Sequence, residues 1–309
     1  MSESLLHTHD VKELLTKVSG LTNDAGDPRL KRIMHRIMTD LFRVIEDFDV
    51  QPDEFWSAVS YITVLGQANE AGLLVPGLGI ETFLDLRMDE AERKAGIEGG
   101  TPRTIEGPLY VAGAPLSKGD ARLDDGSEQG EVLFMDGQVR DMSGKPVAGA
   151  MVDVWHANTL GGYSFFDPSQ PKYNLRRRIE TDAEGRYTFR SLLPSGYACP
   201  PGGQTQKLLD QLGRHGNRPA HIHFFVSAPN YRKLTTQINI DGDVYLHDDF
   251  AFATRDGLIP EVRRSTDPAA IRARGLNAPF AEITFDFILH PESASAPKTE
   301  VTRPHAEAA

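Results

Sequence analysis

The 309 residues, 39% hydrophobic and 25% charged with no low-complexity block, suffice for one large domain or two modest ones and have the balance of an ordinary globular protein. A formal net charge of -11 argues against a chain that lives on nucleic-acid phosphates, and the single cysteine, Cys199, excludes an intrachain disulfide scaffold and makes the cytoplasm the expected location. The opening "MSESLLHTHDVKELL" carries charges throughout and no apolar run approaches the roughly 20 residues that span a bilayer, so an untargeted soluble protein without a membrane span is expected.

The first hundred residues read as helices, the first of them around Val11 to Val18. In "DPRLKRIMHRIMTDLFRVIEDFD", Asp27 is an N-cap with Pro28 at the first helical position. Leu30, Ile33, Met34, Ile37, Met38, Leu41, Val44, Ile45 and Phe48 then follow the spacing of one apolar face, which demands burial. Helices over Glu54 to Gly66, introduced by Pro52 and an acidic first turn, and over Gly79 to Lys94 follow. Gly96, Gly99, Gly100, Pro102 and Pro108 break the helical pattern, which puts a domain boundary there: a helical N-terminal domain, 1–104, and a second domain, 105–309.

Beyond that boundary, short β-rich runs are divided by turn residues such as Gly144, Pro146 and Gly185: "EVLFMDGQVRD", "MVDVWHA", "RRRIETD", "GRYTFRSLL", "HIHFFVSA", "LTTQINI" and "AEITFDFIL". Their recurrence indicates a β-sandwich of mixed or antiparallel topology, and the whole chain reads as α+β. Arg176, Arg177 and Arg178 read as a solvated strand end, and a short helix, Asp267 to Arg274, precedes a polar tail after His290.

In "RPAHIHFFV", strand alternation puts His221 and His223 on one side, where they converge either on a metal or on ordinary hydrogen bonds. No Glu follows at the spacing a cupin site needs, and one Cys cannot build a thiolate zinc site. A two-histidine, one-carboxylate iron site would borrow Asp167, Asp241 or Asp248, and the spacing singles out none of them. Tyr163, after a Gly-Gly turn, and Tyr197, between Pro194, Gly196 and two prolines, sit on stiff loops, where a tyrosine is ordinarily a packing residue. His156 reads as structural, His7, His9, His290 and His305 as terminal residues, and Cys199 as non-catalytic.

From "TIEGPLYVAGAP" through "GAMVDVWHANTLGGYSFFDPSQPKYNLRRRIETDAEGRYTFRSLLPSGYACPP" to "LLDQLGRHGNRPAHIHFFVSAPNYRKLTTQINIDGD", with "NEAGLLVPGLGIE" nearer the N-terminus, the chain resembles the intradiol ring-cleaving dioxygenases, and within them the branch that acts on catechol. The resemblance implies a mixed-topology sandwich in which one non-haem Fe(3+) per subunit is held by Tyr163, Tyr197, His221 and His223. Phenolate is a hard anionic donor that favours iron(III). It further implies that catechol binds as a dianion, that Tyr197 leaves as a base while Tyr163 stays, and that O2 enters between the hydroxyl-bearing carbons to give cis,cis-muconate. Arg218 and, less directly, Gln237 would stand beside the ring. Leu73, Pro76, Ile105, Pro108, Leu109, Phe250 and Ala251, with Arg218, would line the substrate pocket.

A homodimer joined through the N-terminal helices, with a lipid-like molecule in a channel there, is also implied. Ala198 stands where relatives commonly have Gly. The alternatives are a chlorocatechol or hydroxyquinol dioxygenase of the same family, extradiol cleavage, and a non-catalytic binding sandwich. The last rests on "GKPVAGAMVDVW" and "TDAEGRYTF", which also resemble transthyretin-like domains.

Overall fold

The structure, a computed structural model, describes residues 4–293, 296–297, 301 and 303–307. The chain divides into two compact units, Met1–Gln67 and Ala68–Ala309. In the first, helix α1 (His9–Val18) starts at Thr8, whose hydroxyl accepts from Val11 N, and α2 (Pro28–Asp47) starts where Asp27 accepts from the amides of Arg29 and Leu30. Helix α3 (Pro52–Gln67) opens with Pro52 and two acids, as its sequence demands. The burial required by the α2 stripe is not met: no residue of α2 is buried, and Ile37 and Phe48 are 51% and 78% exposed.

The second unit opens with α4 (Ala71–Gly77) and α5 (Ile80–Lys94), so the compact units part at 67/68. Residue 104 lies in the irregular segment between the last of these helices and the first strand, and charged contacts tie the two helices to the sandwich. Asp89 pairs with Arg103 and Arg255 at 2.8 and 2.7 Å, and Glu92 with Arg103 and Arg232. Glu70 receives the amides of Gln204 and Thr205, capping a later helix, α6 (Gln204–Gln211).

The strands are β1 (Val111–Ala112), β2 (Leu116–Lys118), β3 (Asp120–Arg122), β4 (Val132–Asp141), β5 (Met151–His156), β6 (Arg176–Glu180), β7 (Arg186–Leu192), β8 (Tyr197–Ala198), β9 (Asn217–Arg218), β10 (His221–Ser227), β11 (Leu234–Asn239), β12 (Arg263–Ser265), β13 (Phe280–Thr284), β14 (Phe287–Leu289) and β15 (Ala306–Glu307), with α7 (Pro268–Ala273) between β12 and β13. One sheet runs β11-β10-β5-β6-β2; the other runs β12-β13-β4-β7-β3 with β14 also on β4. Pairs β2–β6, β3–β7, β13–β4 and β14–β4 are parallel and the rest of these two sheets antiparallel, so the topology is mixed.

Alternate residues of both sheets, among them Val152, Val154, Phe224 and Ile238 from one and Leu133, Met135, Phe189 and Ile283 from the other, form a single buried core. The run "AEITFDFIL" breaks into two strands at Phe285, whose amide donates to Asp136 O while its carbonyl accepts the Tyr187 hydroxyl. Helices α4, with Pro76 in its last turn, and α6 have no counterpart in the sequence reading.

Candidate functional site

Strand β10 sorts its residues: Ile222, Phe224 and Val226 enter the core between the sheets, while His221, His223 and Phe225 face the other way. On that outer face His223 lies across from Gln237 of β11 and Trp155 of β5. The Trp155 indole stacks on the His223 ring with centroids 4.9 Å apart and planes 3° from parallel, which fixes the imidazole's orientation.

His221 donates from Nδ1 to the Pro219 carbonyl at 2.6 Å, so its lone pair is on Nε2. That Nε2 lies 3.0 Å from His223 Nε2 and 3.3 Å from the Tyr163 hydroxyl. The Tyr197 ring stands edge-on to Tyr163, centroids 5.5 Å apart, and equally far from the His221 ring. All four residues that the resemblance assigns to the metal are thus brought together.

The two tyrosine loops meet because of a glycine. Asn158 Oδ1 accepts from the amides of Leu160 and Gly162, winding the chain tightly before Tyr163. Gly161, at φ +82°, is so near the other loop that a Cβ there would lie 2.8 Å from Tyr197 Cβ. Tyr197 itself is held in β8, opposite Arg218 of β9. Ala198 is not among the residues with positive φ, so its departure from the usual Gly carries no backbone strain.

Arg218, only 3% exposed, is gripped by both Asp249 oxygens at 3.1 Å and by Gln237 Oε1 at 3.0 Å. Its remaining amino group reaches His221 Nε2 at 3.1 Å and the Tyr197 hydroxyl at 3.5 Å. Burial works against the charge on Arg218, but Asp249 together with Tyr197 and Tyr163 outweighs it and raises the guanidinium above its ordinary value. Burial likewise opposes the Asp249 charge, and Arg218 together with the Ala251 amide more than compensates, holding that carboxyl below the usual range. The result is a fixed cation in a dry setting.

Burial pushes His221 down to about 3, with Arg218 adding to the effect, and holds His223 well below the usual imidazole range. Both rings are therefore neutral donors. Burial, with Tyr197 next to it, raises Tyr163 well above an ordinary phenol, so a strong cation at its oxygen is needed to ionise it. Among the described residues no group of three or more His, Cys, Asp or Glu side chains could hold a metal ion. The donor set here is two neutral imidazoles and two phenols, which fits a hard, highly charged cation better than a soft or divalent one.

The candidate pocket residues fall into three neighbourhoods. Ile105, Phe250 and Ala251 share a buried cluster with Cys199 and Leu209, and Leu109 packs on the cluster of Trp155, Tyr163 and Phe225. Leu73 and Pro76, three apart on α4, lie on one side of a helix whose Gly72 closes on Pro108 and whose Gly77 closes on Phe250. Gly107, in the same loop as Ile105 and Pro108, is backed against His223, with 3.6 Å between the position of a Cβ and the ring.

The carboxylate alternative fails on geometry. Asp167 closes its own turn on Ser169 and Gln170, Asp248 pairs with His215 at 3.0 Å, and Asp241 is exposed. Arg176 corrects the solvated reading of the basic run: it is 1% exposed, donates to Ser164 Oγ and O at 2.9 Å, and lies 5.8 Å over the Tyr163 ring. Its signal was strand alternation, which sets Arg176 opposite Trp155. Asp249 was missed, and its one signal is that it directly precedes two pocket residues.

His156 is structural, bonded to Ala157 O and Ser191 Oγ at 2.7 Å and pushed down to about 4 by burial. His290 and His305 are not free ends, since they bond Gly99 O and Glu106. Cys199 is buried, which pushes its thiol up to about 11.

A mixed sandwich carrying a converging His-His-Tyr-Tyr set defines the class. The "Dioxygenase" family model matches residues 105–291 and the "Catechol dioxygenase N terminus" model residues 27–96, so the chain belongs to the intradiol ring-cleavage dioxygenase family. Within that family it is 67% identical over 255 residues to catechol 1,2-dioxygenase 2 of Acinetobacter lwoffii, covering 82% of this chain and 93% of the relative. It is 54% identical to the catechol 1,2-dioxygenase of Acinetobacter baylyi over 94% of each. The crystal structure of catechol 1,2-dioxygenase from Pseudomonas arvilla superposes with a TM-score of 0.94 at 57% identity, covering 98% of this chain and 99% of that one. Relatives named for hydroxyquinol and chlorocatechol align at 34% and 36% identity.

Proposed function

We propose that the chain is an intradiol dioxygenase that cleaves catechol with O2 between its hydroxyl-bearing carbons, giving cis,cis-muconate and releasing two protons. The observation that carries this reading is the convergence of Tyr163, His221, His223 and Tyr197 beside the fixed cation Arg218. Tyr163, Tyr197, His221 and His223 would hold one non-haem iron(III) per subunit. Bound there, iron(III) would supply Lewis acidity that withdraws electron density from the catechol ring and makes it reactive toward dioxygen.

The chain's own residues divide the remaining work. Tyr197, half-buried on β8 and approached by Arg218, would be ionised by the bound cation and so could take a substrate proton at its phenolate oxygen. Tyr163, enclosed under Arg176, stays in place. Arg218 presents positive charge to the ring as negative charge develops on it, an effect typically worth about 3 kcal/mol. Gln237 and Asp249 aim that guanidinium, and Gln237 acts through Arg218. Leu73, Pro76, Ile105, Pro108, Leu109, Phe250 and Ala251 provide the apolar walls that suit a benzene ring and exclude water.

The exposed apolar stripe of α2 supports a homodimer formed through the N-terminal helices, with a lipid-like molecule in a channel there; mass spectrometry of an organic extract tests the lipid. No helix among the described residues is long and apolar enough to cross a membrane, and we place the protein in the cytoplasm. Product analysis tests the reaction: a colourless diacid supports it, and a yellow semialdehyde, the product of extradiol cleavage, contradicts it. Specificity constants for catechol, 4-chlorocatechol and hydroxyquinol test the substrate, with catechol expected to lead.

A further inference from the structure

The C-terminal tail returns to the neighbourhood of the site. Strand β15 pairs in parallel with β1, and just before it Arg303 Nε and His305 Nε2 reach the same oxygen of Glu106, at 2.8 and 2.9 Å. Arg303 also donates to the Gly107 carbonyl and lies 3.5 Å from Glu81 of α5. The His305 ring stands edge-on to Tyr110 at 4.8 Å, and Tyr110 packs against Trp155 at 4.8 Å and Phe225 at 4.7 Å. Trp155 is the ring stacked on His223.

Glu106 is only 7% exposed, and a buried carboxylate stripped of its cations is strongly disfavoured, so the conformation of its loop depends on the tail. What that loop carries gives the tail its importance. Ile105 and Pro108 are walls of the proposed pocket, and Gly107, at φ +68°, brings the backbone against His223.

We infer that Arg303, seconded by His305, is a positioning residue: through Glu106 it holds the loop 105–110 against His223 and the substrate ring, so that the pocket is complete only with the tail docked. The inference rests on the functional reading above for its substrate.

The test uses the full-length, iron-loaded protein carrying Arg303→Ala. Outer contacts of this kind typically change affinity or activity 10- to 100-fold. We expect KM for catechol to rise about tenfold with kcat little changed, iron content to stay at the wild-type level, and the amides of 104–110 to exchange faster with deuterium. Arg303→Lys restores part of the KM, and His305→Ala produces a smaller change of the same kind; if Arg303→Ala does not fold, His305→Ala carries the test. A variant with wild-type KM and wild-type exchange over 104–110 overturns the inference, as does a fall in kcat and melting temperature that leaves both unchanged. Wild-type protein that does not cleave catechol would sink the functional reading instead, and the exchange over 104–110 would still report on the tail.

Discussion

Two tyrosines meet at the site, and their surroundings differ. Tyr163 is buried, bonded to His221, packed under Arg176 and fixed by a turn wound on Asn158. Tyr197 is half-buried on a two-residue strand, and its hydroxyl is approached by Arg218 at 3.5 Å. Two residues of identical chemistry are thereby given unequal surroundings, which suits the proposed roles, one tyrosine remaining and the other exchanging its partner for a proton. The asymmetry lies in the second layer of contacts, Arg176 on one side and Arg218 with Asp249 on the other.

The largest effect belongs to the enclosed residue. Tyr163→Phe should lose both iron and turnover, by more than the roughly 100-fold that outer contacts typically contribute, as judged by metal analysis and oxygen uptake. Tyr197→Phe separates the two: iron is retained while kcat falls on the order of 10²- to 10⁴-fold, the usual worth of a positioned acid or base. Equal iron loss in both variants would break the comparison.

Next comes the support for Arg218. Asp249→Asn should lower kcat about 10- to 100-fold while the Tyr163 side keeps its metal. It should also destabilise the fold by about 3–5 kcal/mol, since it leaves a buried cation unpaired. The pH dependence of that loss has a definite sign. Asp249 is held below the ordinary carboxylate value, so its stabilising contribution is fully present above about pH 4 and is lost only as the pH falls through its depressed pKa. Denaturation of wild type and variant at pH 7 and pH 5 should show the same gap, closing only in stronger acid. The smallest change is Arg176→Lys, which keeps the charge but not the two-pronged grip on Ser164. Its iron should dissociate about tenfold faster, read by chelator challenge, with kcat nearly unchanged.

Much of this architecture is legible locally. Asp27 and Pro28 start α2 where capping chemistry requires, and the alternation in "HIHFFV" places two imidazoles on one face with Phe224 and Val226 on the other. The tyrosines are legible only through long family motifs, because a loop residue has no periodicity to reveal what it faces. Arg176 was misread because three consecutive arginines suggest solvent, although the pleat turns the first of them inward. The link from His305 to Glu106 spans 199 residues, and no local pattern encodes it. Nor does the α2 stripe reveal its partner: periodicity shows that a face must be covered, and within the described residues it stays exposed.

The most direct test of the unequal tyrosine pair is the visible absorption spectrum of the purified, iron-reconstituted protein, recorded before and after anaerobic catechol. Tyrosinate on iron(III) gives a broad charge-transfer band. The account predicts a red-brown protein whose band shifts when catechol displaces one tyrosinate and leaves the other. A protein that stays colourless after reconstitution, or whose band catechol leaves untouched, would contradict it.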